Sequence, residues 1–166
     1  MSCLRPIIPT GSSILDRFLE GGLQPRNIVL LYGEAETGKT TLAVQCAVNA
    51  ARLGYKAMFI DPENAFSPER LSQIAPYDLA EVSASIILVR PASFKEQGVI
   101  IDELEKYLTQ RFGLIVFDTI TSLYRSELGN AKETFALNRE LNRQLATLAQ
   151  ISKDFEISIL LTSQVR

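Results

Sequence analysis

Short apolar runs alternate with longer amphipathic stretches along this chain, and the alternation predicts its architecture. Runs of strand length, almost wholly apolar, lie at 27–32, 56–61, 86–90, 113–118 and 157–163; Ile28-Val-Leu-Leu-Tyr32 is typical. A strand needs that composition when both faces of its sheet are covered. Between them, apolar residues recur at three- and four-residue spacing over 39–53, 68–75, 95–110 and 132–153. In the last stretch these are Leu137, Leu141, Leu145 and Leu148, and the period is that of a helix. A short helix is also expected after Thr10-Gly11-Ser12-Ser13, where Ile14, Leu15, Phe18 and Leu19 share a face before Gly21-Gly22 end it. The fold class predicted is α/β, a mostly parallel sheet with helices on both faces. Residues 1–9, with Pro6 and Pro9, read as an extended arm, and 10–166 as one core domain.

Composition narrows the chemistry more than the fold. The 166 residues suit one domain, and 46% hydrophobic with 22% charged residues is a globular balance. No apolar run approaches the roughly 20 residues needed to span a bilayer. Met1-Ser-Cys-Leu-Arg5 carries no secretory apolar core, so a cytoplasmic protein without a membrane partner is expected. The chain has no histidine and only two cysteines, Cys3 and Cys46, which removes His-based acid–base catalysis and a Cys/His zinc site. Cys46, in a helical apolar stretch, reads as a buried thiol, and Cys3 as part of a mobile terminus. With a pI of about 5.3 there is no global basic footprint, so any nucleic-acid contact must be local. A chain stopping directly after a buried strand also leads us to expect further residues beyond Arg166.

The strongest chemical signal is Gly33-Glu34-Ala35-Glu36-Thr37-Gly38-Lys39-Thr40, followed by Thr41, which fits G-x-x-x-x-G-K-[ST] at every fixed position. It follows a predicted strand and opens a predicted helix. Backbone N–H groups of such a loop wrap phosphates, helped by the positive end of the helix. Lys39 is expected to reach the terminal phosphates of ATP and the Thr40 hydroxyl to ligate Mg²⁺. Asp118 closes the apolar run Leu114-Ile-Val-Phe117, which puts a carboxylate at a strand's carboxyl end, where ligands of parallel sheets bind; it is the second expected Mg²⁺ contact. Asp61 and Glu63 close the run ending at Ile60. Glu63 is the candidate to orient or deprotonate an attacking water. Gln164, ending Thr162-Ser163-Gln164, is a neutral amide placed to report the γ-phosphate.

In this order, these segments resemble the RecA-type recombinase ATPases, and among them the archaeal RadA/RadB group, the RadB-like paralogues most of all. The resemblance covers nearly the whole chain. It rests on Thr10-Gly11…Leu15-Asp16…Gly21-Gly22, on Ile60-Asp-Pro-Glu-Asn-Ala-Phe-Ser-Pro-Glu-Arg70, on Phe117-Asp-Thr-Ile-Thr-Ser-Leu-Tyr-Arg125 and on Leu161-Thr-Ser-Gln-Val165. It implies a P-loop NTPase core with Glu63 as activator of water, Gln164 as γ-phosphate sensor and Arg70 beside the adenine. A second DNA loop is expected beyond Arg166. With only ten residues ahead of the core, the helical N-terminal domain of RadA is not expected.

Three departures qualify the resemblance. Glu36 stands where the family usually has glycine, and a carboxylate near a polyphosphate predicts weaker nucleotide binding or slow turnover. In the first DNA loop the family's glycine-flanked Arg is replaced by Ala131, with Lys132 beside it. Arg125 matches, and Arg139 and Arg143, four apart on one helix, are further candidates for DNA phosphates. None of the eight phenylalanines has Ala three residues later, so the family's Phe-x-x-Ala polymerisation handle is absent and filaments by that route are not expected. The resemblance implies a Mg-ATP-binding, slowly hydrolysing accessory of recombinational DNA repair, with single-stranded DNA and a recombinase or other repair protein as partners. Two alternatives stay open: a nucleotide-gated adaptor with little DNA contact, and a KaiC-like ATPase without a DNA role.

Overall fold

A computed structural model describes residues 5–165, so Cys3 and Arg166 lie outside the described residues. Five strands, β1 (Ile28–Gly33), β2 (Lys56–Ile60), β3 (Ile86–Val89), β4 (Phe112–Phe117) and β5 (Ser158–Gln164), form one sheet in the order β1-β5-β4-β2-β3. All four pairings are parallel. Seven helices flank them: α1 (Ser13–Phe18), α2 (Lys39–Arg52), α3 (Pro68–Ile74), α4 (Leu79–Ser85), α5 (Phe94–Tyr107), α6 (Ser122–Ser126) and α7 (Ala131–Asp154).

Topology follows from the handedness of parallel crossovers. The chain steps outward from β1 through β2 to β3 with α2, α3 and α4 on one face. It then returns through β4 to β5 with α5 and α7 on the other, as right-handed connections require. Period-2 alternation divides the core accordingly. Ala57, Phe59, Leu114, Val116 and Leu160 meet the small-residue stripe Ala43, Val44, Ala47 and Ala50 of α2. Met58, Ile60, Ile115, Phe117, Ile159 and Leu161 meet Ile101 and Leu104 of α5 and Leu148 and Ile151 of α7. Every residue of β4 is buried. Side chains of this size each contribute about 1.5–3 kcal/mol on full burial. Cys46 is also fully buried. Burial, with the Asp16 carboxylate adding to it, pushes its thiol up to about 12, so it is a packing residue without thiolate chemistry at neutral pH.

Several helices start where a side chain can cap them. Ser67 precedes Pro68 of α3 and accepts from Arg70 N; Ser93 accepts from Glu96 N at α5; Asn130 and Glu133 form a reciprocal capping box at α7. α4 and α6 were not predicted. α4 buries Val82 alone and α6 buries nothing, so neither carries a readable apolar face.

Coverage of both faces holds for the central strands and fails at the margins. β1 and β3 are edge strands: Leu30 and Tyr32 of β1 are 52% and 67% exposed. α1 forms where its spacing predicts, capped by Ser12, yet it buries none of its residues, and Ile14 and Phe18 face solvent. Residues 5–9 lie against the core through a buried Ile8, which bridges antiparallel to Leu23 with hydrogen bonds of 3.0 and 2.7 Å. Gly22 is demanded there: at φ +133°, a Cβ would stand 2.2 Å from the Ile8 carbonyl oxygen. Among the described residues, no helix is long and apolar enough to cross a membrane.

Candidate nucleotide-binding site

Because every strand runs the same way, the carboxyl ends of all five gather along one margin of the sheet, and the site is built there. β1 ends in Gly33, the first residue of the phosphate loop. Gly38, at φ +89°, turns that loop into α2; this left-handed backbone suits glycine alone without strain. No side chain caps α2, so the amides at its start keep the positive end of the helix free for an anion. Lys39 folds back over the loop, its Nζ donating to Gly33 O at 3.0 Å, to Thr37 Oγ1 at 3.3 Å and to Glu34 O, while Thr37 Oγ1 donates to Glu34 O at 2.9 Å. The loop is therefore held largely by its own atoms. Glu34, Ala35 and Glu36 are exposed on its outer turn. Glu36 adopts φ +61°, a left-handed backbone that glycine takes without strain.

Glu36, Gly38, Lys39, Thr40, Thr41 and Arg70 line a cavity of about 380 Å³ beside the loop. Arg70 is thus brought to the phosphate loop from α3, and its Nη1 also donates to Ala65 O at 2.6 Å. That bond ties the cavity wall to the segment carrying Glu63.

Asp118 follows β4 directly and is 2% exposed. Its Oδ1 accepts from the Thr162 hydroxyl of β5, while Oδ2 is buried without a hydrogen-bond partner among the described residues. A buried carboxylate oxygen left without a donor is costly, and a metal-bound water satisfies it. Among the described residues no cluster of three or more His, Cys, Asp or Glu could hold a metal alone. The orphaned oxygen of Asp118 fits Mg²⁺, which keeps several waters and is held by one or two protein oxygens plus phosphates.

Glu63 stands in the loop between β2 and α3. Partial shielding from water raises its pKa above the ordinary carboxylate value. The Asp118 and Asp61 carboxylates add to that rise, and Arg125 and Lys39 oppose it. Two acids and two cations thus act on one group, the pattern of a tuned site. Asp61, one step from β2, is fully buried; its Oδ1 accepts from Ala65 N at 2.9 Å and its Oδ2 from Phe66 N at 3.0 Å.

Sheet register brings Gln164 to the loop: Gly33 pairs with Gln164 across β1 and β5, and Val165 N donates to Gly33 O at 3.1 Å. Arg125 is half-buried and turned inward, its guanidinium donating to the Gln164 carbonyl. Nearby, Thr121 Oγ1 and Ser163 Oγ lie 3.1 Å apart. Of the other DNA candidates, Arg143 holds Asp102 and Glu140, each at 2.7 Å. Lys132 and Arg139 are exposed on α7 with no ion pair among the described residues. Sequence reasoning did not assign a role to Asp61 or Arg90. The one readable sign was an acid placed directly after four apolar residues.

A glycine loop after the first strand, an acid closing the fourth and an amide closing the fifth, on a five-stranded parallel sheet between two helical layers, define a P-loop NTPase with a RecA-type core. More narrowly, the chain belongs to the Rad51 family, which it matches over residues 5–166. It is similar to the DNA repair and recombination protein RadB of Thermococcus onnurineus, 39% identical over 162 residues that cover 96% of this chain and 69% of that one. The protein of the same description from Methanothermobacter thermautotrophicus is 37% identical over 161 residues, covering 95% and 67%. That of Methanosphaera stadtmanae is 35% identical over 161 residues, covering 96% and 68%.

Proposed function

We propose that this chain binds Mg-ATP at residues 33–41 and hydrolyses it slowly, as an accessory protein of recombinational DNA repair. The observation that carries the reading is the rung pairing Gly33 with Gln164, which sets a neutral amide beside the first residue of a self-held phosphate loop. The free amides of α2 and the Lys39 ammonium bind the phosphates, and Arg70 bounds the nucleotide cavity. Mg²⁺ bound with the nucleotide would neutralise charge developing on the phosphates, with Thr40 and, through water, Asp118 as its protein contacts. Glu63 orients and deprotonates the attacking water, a role favoured by its raised pKa. Gln164 reads the γ-phosphate.

The role in repair rests on the relatives, each described as a DNA repair and recombination protein. Lys132 and Arg139 are the cations we expect single-stranded DNA to meet first, with Arg125 behind them. A recombinase or another repair protein is the partner class that reading implies. The nucleotide-gated adaptor remains a second reading, favoured by the neutralisation of Arg143 and the inward turn of Arg125. Mg-ATP binding and turnover, with and without single-stranded DNA, test both. Turnover that rises with DNA and is lost in Lys39→Ala and Glu63→Gln supports the repair ATPase. Binding without turnover or DNA response supports the adaptor, and no ATP binding overturns both.

A further inference from the structure

A carboxylate with no exposure is expensive unless fully partnered, so a buried acid outside the expected metal and phosphate contacts needs a reason. Asp61 is such an acid. Both of its oxygens are taken up by the backbone N–H groups of Ala65 and Phe66, four and five residues on. The bonds fold the chain into a closed loop whose first residue is itself fixed, Asp61 N donating to Val89 O of β3 at 2.8 Å. Arg90, next to Val89, sits 3.7 Å from Asp61 Oδ2 and reaches the Phe66 carbonyl at 3.5 Å, which locks the far end of the loop to the near one. Within the loop, Pro62 restricts the backbone before Glu63, and Asn64 turns it at φ +56°. Phe66 then inserts edge-on against Phe59 of β2, ring centroids 5.0 Å apart. Glu63 and Asn64 are the exposed residues at the crest.

We propose that Asp61 is the positioning residue for Glu63. Its buried carboxylate ties residues 65 and 66 back to the end of β2 and so fixes where the intervening acid stands. Asp61 is fully buried and each of its oxygens takes a loop amide, so it acts through the loop rather than by touching nucleotide. The inference rests on the reading of Glu63 as the activator of water. An Asn at position 61 keeps one acceptor and sets an NH₂ donor against the second amide, which frees one end of the loop at nearly unchanged volume.

The test uses the full chain with Mg-ATP, comparing wild type, Asp61→Asn, Glu63→Asp and the double variant. Glu63→Asp withdraws the carboxylate by one methylene, which keeps a residual rate against which further loss can be read. We expect Asp61→Asn to hold nucleotide with a Kd within about threefold of wild type while kcat falls about tenfold to a hundredfold, the scale of a reacting group displaced by about 1 Å. In the Glu63→Asp background, where the carboxylate is already out of place, the same change costs much less. Amide hydrogen exchange rises at Ala65 and Phe66 in Asp61→Asn, with the phosphate loop unchanged. Full additivity of the two substitutions, or a wild-type kcat in Asp61→Asn, overturns the proposal. A wild type that binds but does not turn over ATP brings down the Glu63 reading and this one with it, which separates that failure from the first. If Asp61→Asn does not melt cooperatively, Arg90→Gln takes its place in the same cycle. Arg90 is half-exposed, and we expect a smaller loss of kcat, again at unchanged Kd.

Discussion

The two loops facing the proposed nucleotide site differ in how much of their anchoring comes from elsewhere in the fold. The phosphate loop holds itself: Lys39 and Thr37 bond to carbonyls three to six residues away, and Lys39 also to the Thr37 hydroxyl. The 61–66 loop adds to its own Asp61 bonds a set of anchors from outside, Arg90 directly after β3, Arg70 on α3 and Phe59 of β2 beneath Phe66. A self-held loop tolerates change elsewhere in the fold and fails only when its own residues change. A loop held from outside can lose its alignment through substitutions that touch no ligand. Binding and catalysis are therefore expected to be separable in this molecule.

The largest effect tests that separation directly. Lys39→Ala should abolish detectable Mg-ATP binding, whereas Glu63→Gln should bind as wild type and lose turnover by about a hundredfold or more; a fluorescent nucleotide titration beside a phosphate-release assay reads both. Next comes Phe66→Ala, which empties a core site under the outer loop. It should cost about 3 kcal/mol of stability in denaturant melts, and lower kcat more than nucleotide affinity. An equal fall in both would erase the distinction between the loops.

A smaller change should improve the self-held loop. Glu36 carries a side chain on left-handed backbone and a carboxylate on the wall of the cavity. Glu36→Gly removes backbone strain of roughly 1 kcal/mol together with a like-charge repulsion, so ATP affinity should tighten severalfold in calorimetry. The least effect concerns pH. The raised pKa of Glu63 means that its ionised form, the one proposed to activate water, is lost earlier on acidification than for an ordinary carboxylate near 4.3. Turnover should fall as pH drops through that raised value. Stability moves the other way. Ionisation of Glu63 opposes folding, so stability available below the unfolded pKa is lost as pH rises through the folded one. Glu63→Gln should then melt no lower than wild type at neutral pH, and the two curves should converge in acid.

The same contrast separates what was legible in the sequence from what was not. The phosphate loop is contiguous, so nine adjacent residues announced it, and Asp118 was announced by four buried neighbours. The five strands were readable because each is a dense apolar run, and their observed ends differ from expectation by a residue or so. Gln164 could be placed at a strand end, but its neighbour Gly33 is set by sheet order, which no local pattern encodes. Arg125 was a DNA candidate through its match to the family, and nothing local could reveal its carbonyl partner 39 residues later. The exposure of Leu30, Tyr32 and Phe18 was equally hidden, since an apolar residue on an edge strand or a shallow helix looks the same in sequence as one in the core.

The adjacency of β1 and β5 has a consequence for how the protein comes into being. The Ser158 hydroxyl of β5 bonds to the Leu23 carbonyl 135 residues earlier, and β5 slots between β1 and β4 to complete the sheet. A nascent chain leaving the ribosome carries the phosphate loop early but must wait for its fifth strand before that loop gains its neighbour. Contacts so distant in sequence form slowly. On the proposed reading of Gln164 as the γ-phosphate sensor, the unfinished polypeptide would be unable to spend ATP until the strand that completes the sheet delivers that residue.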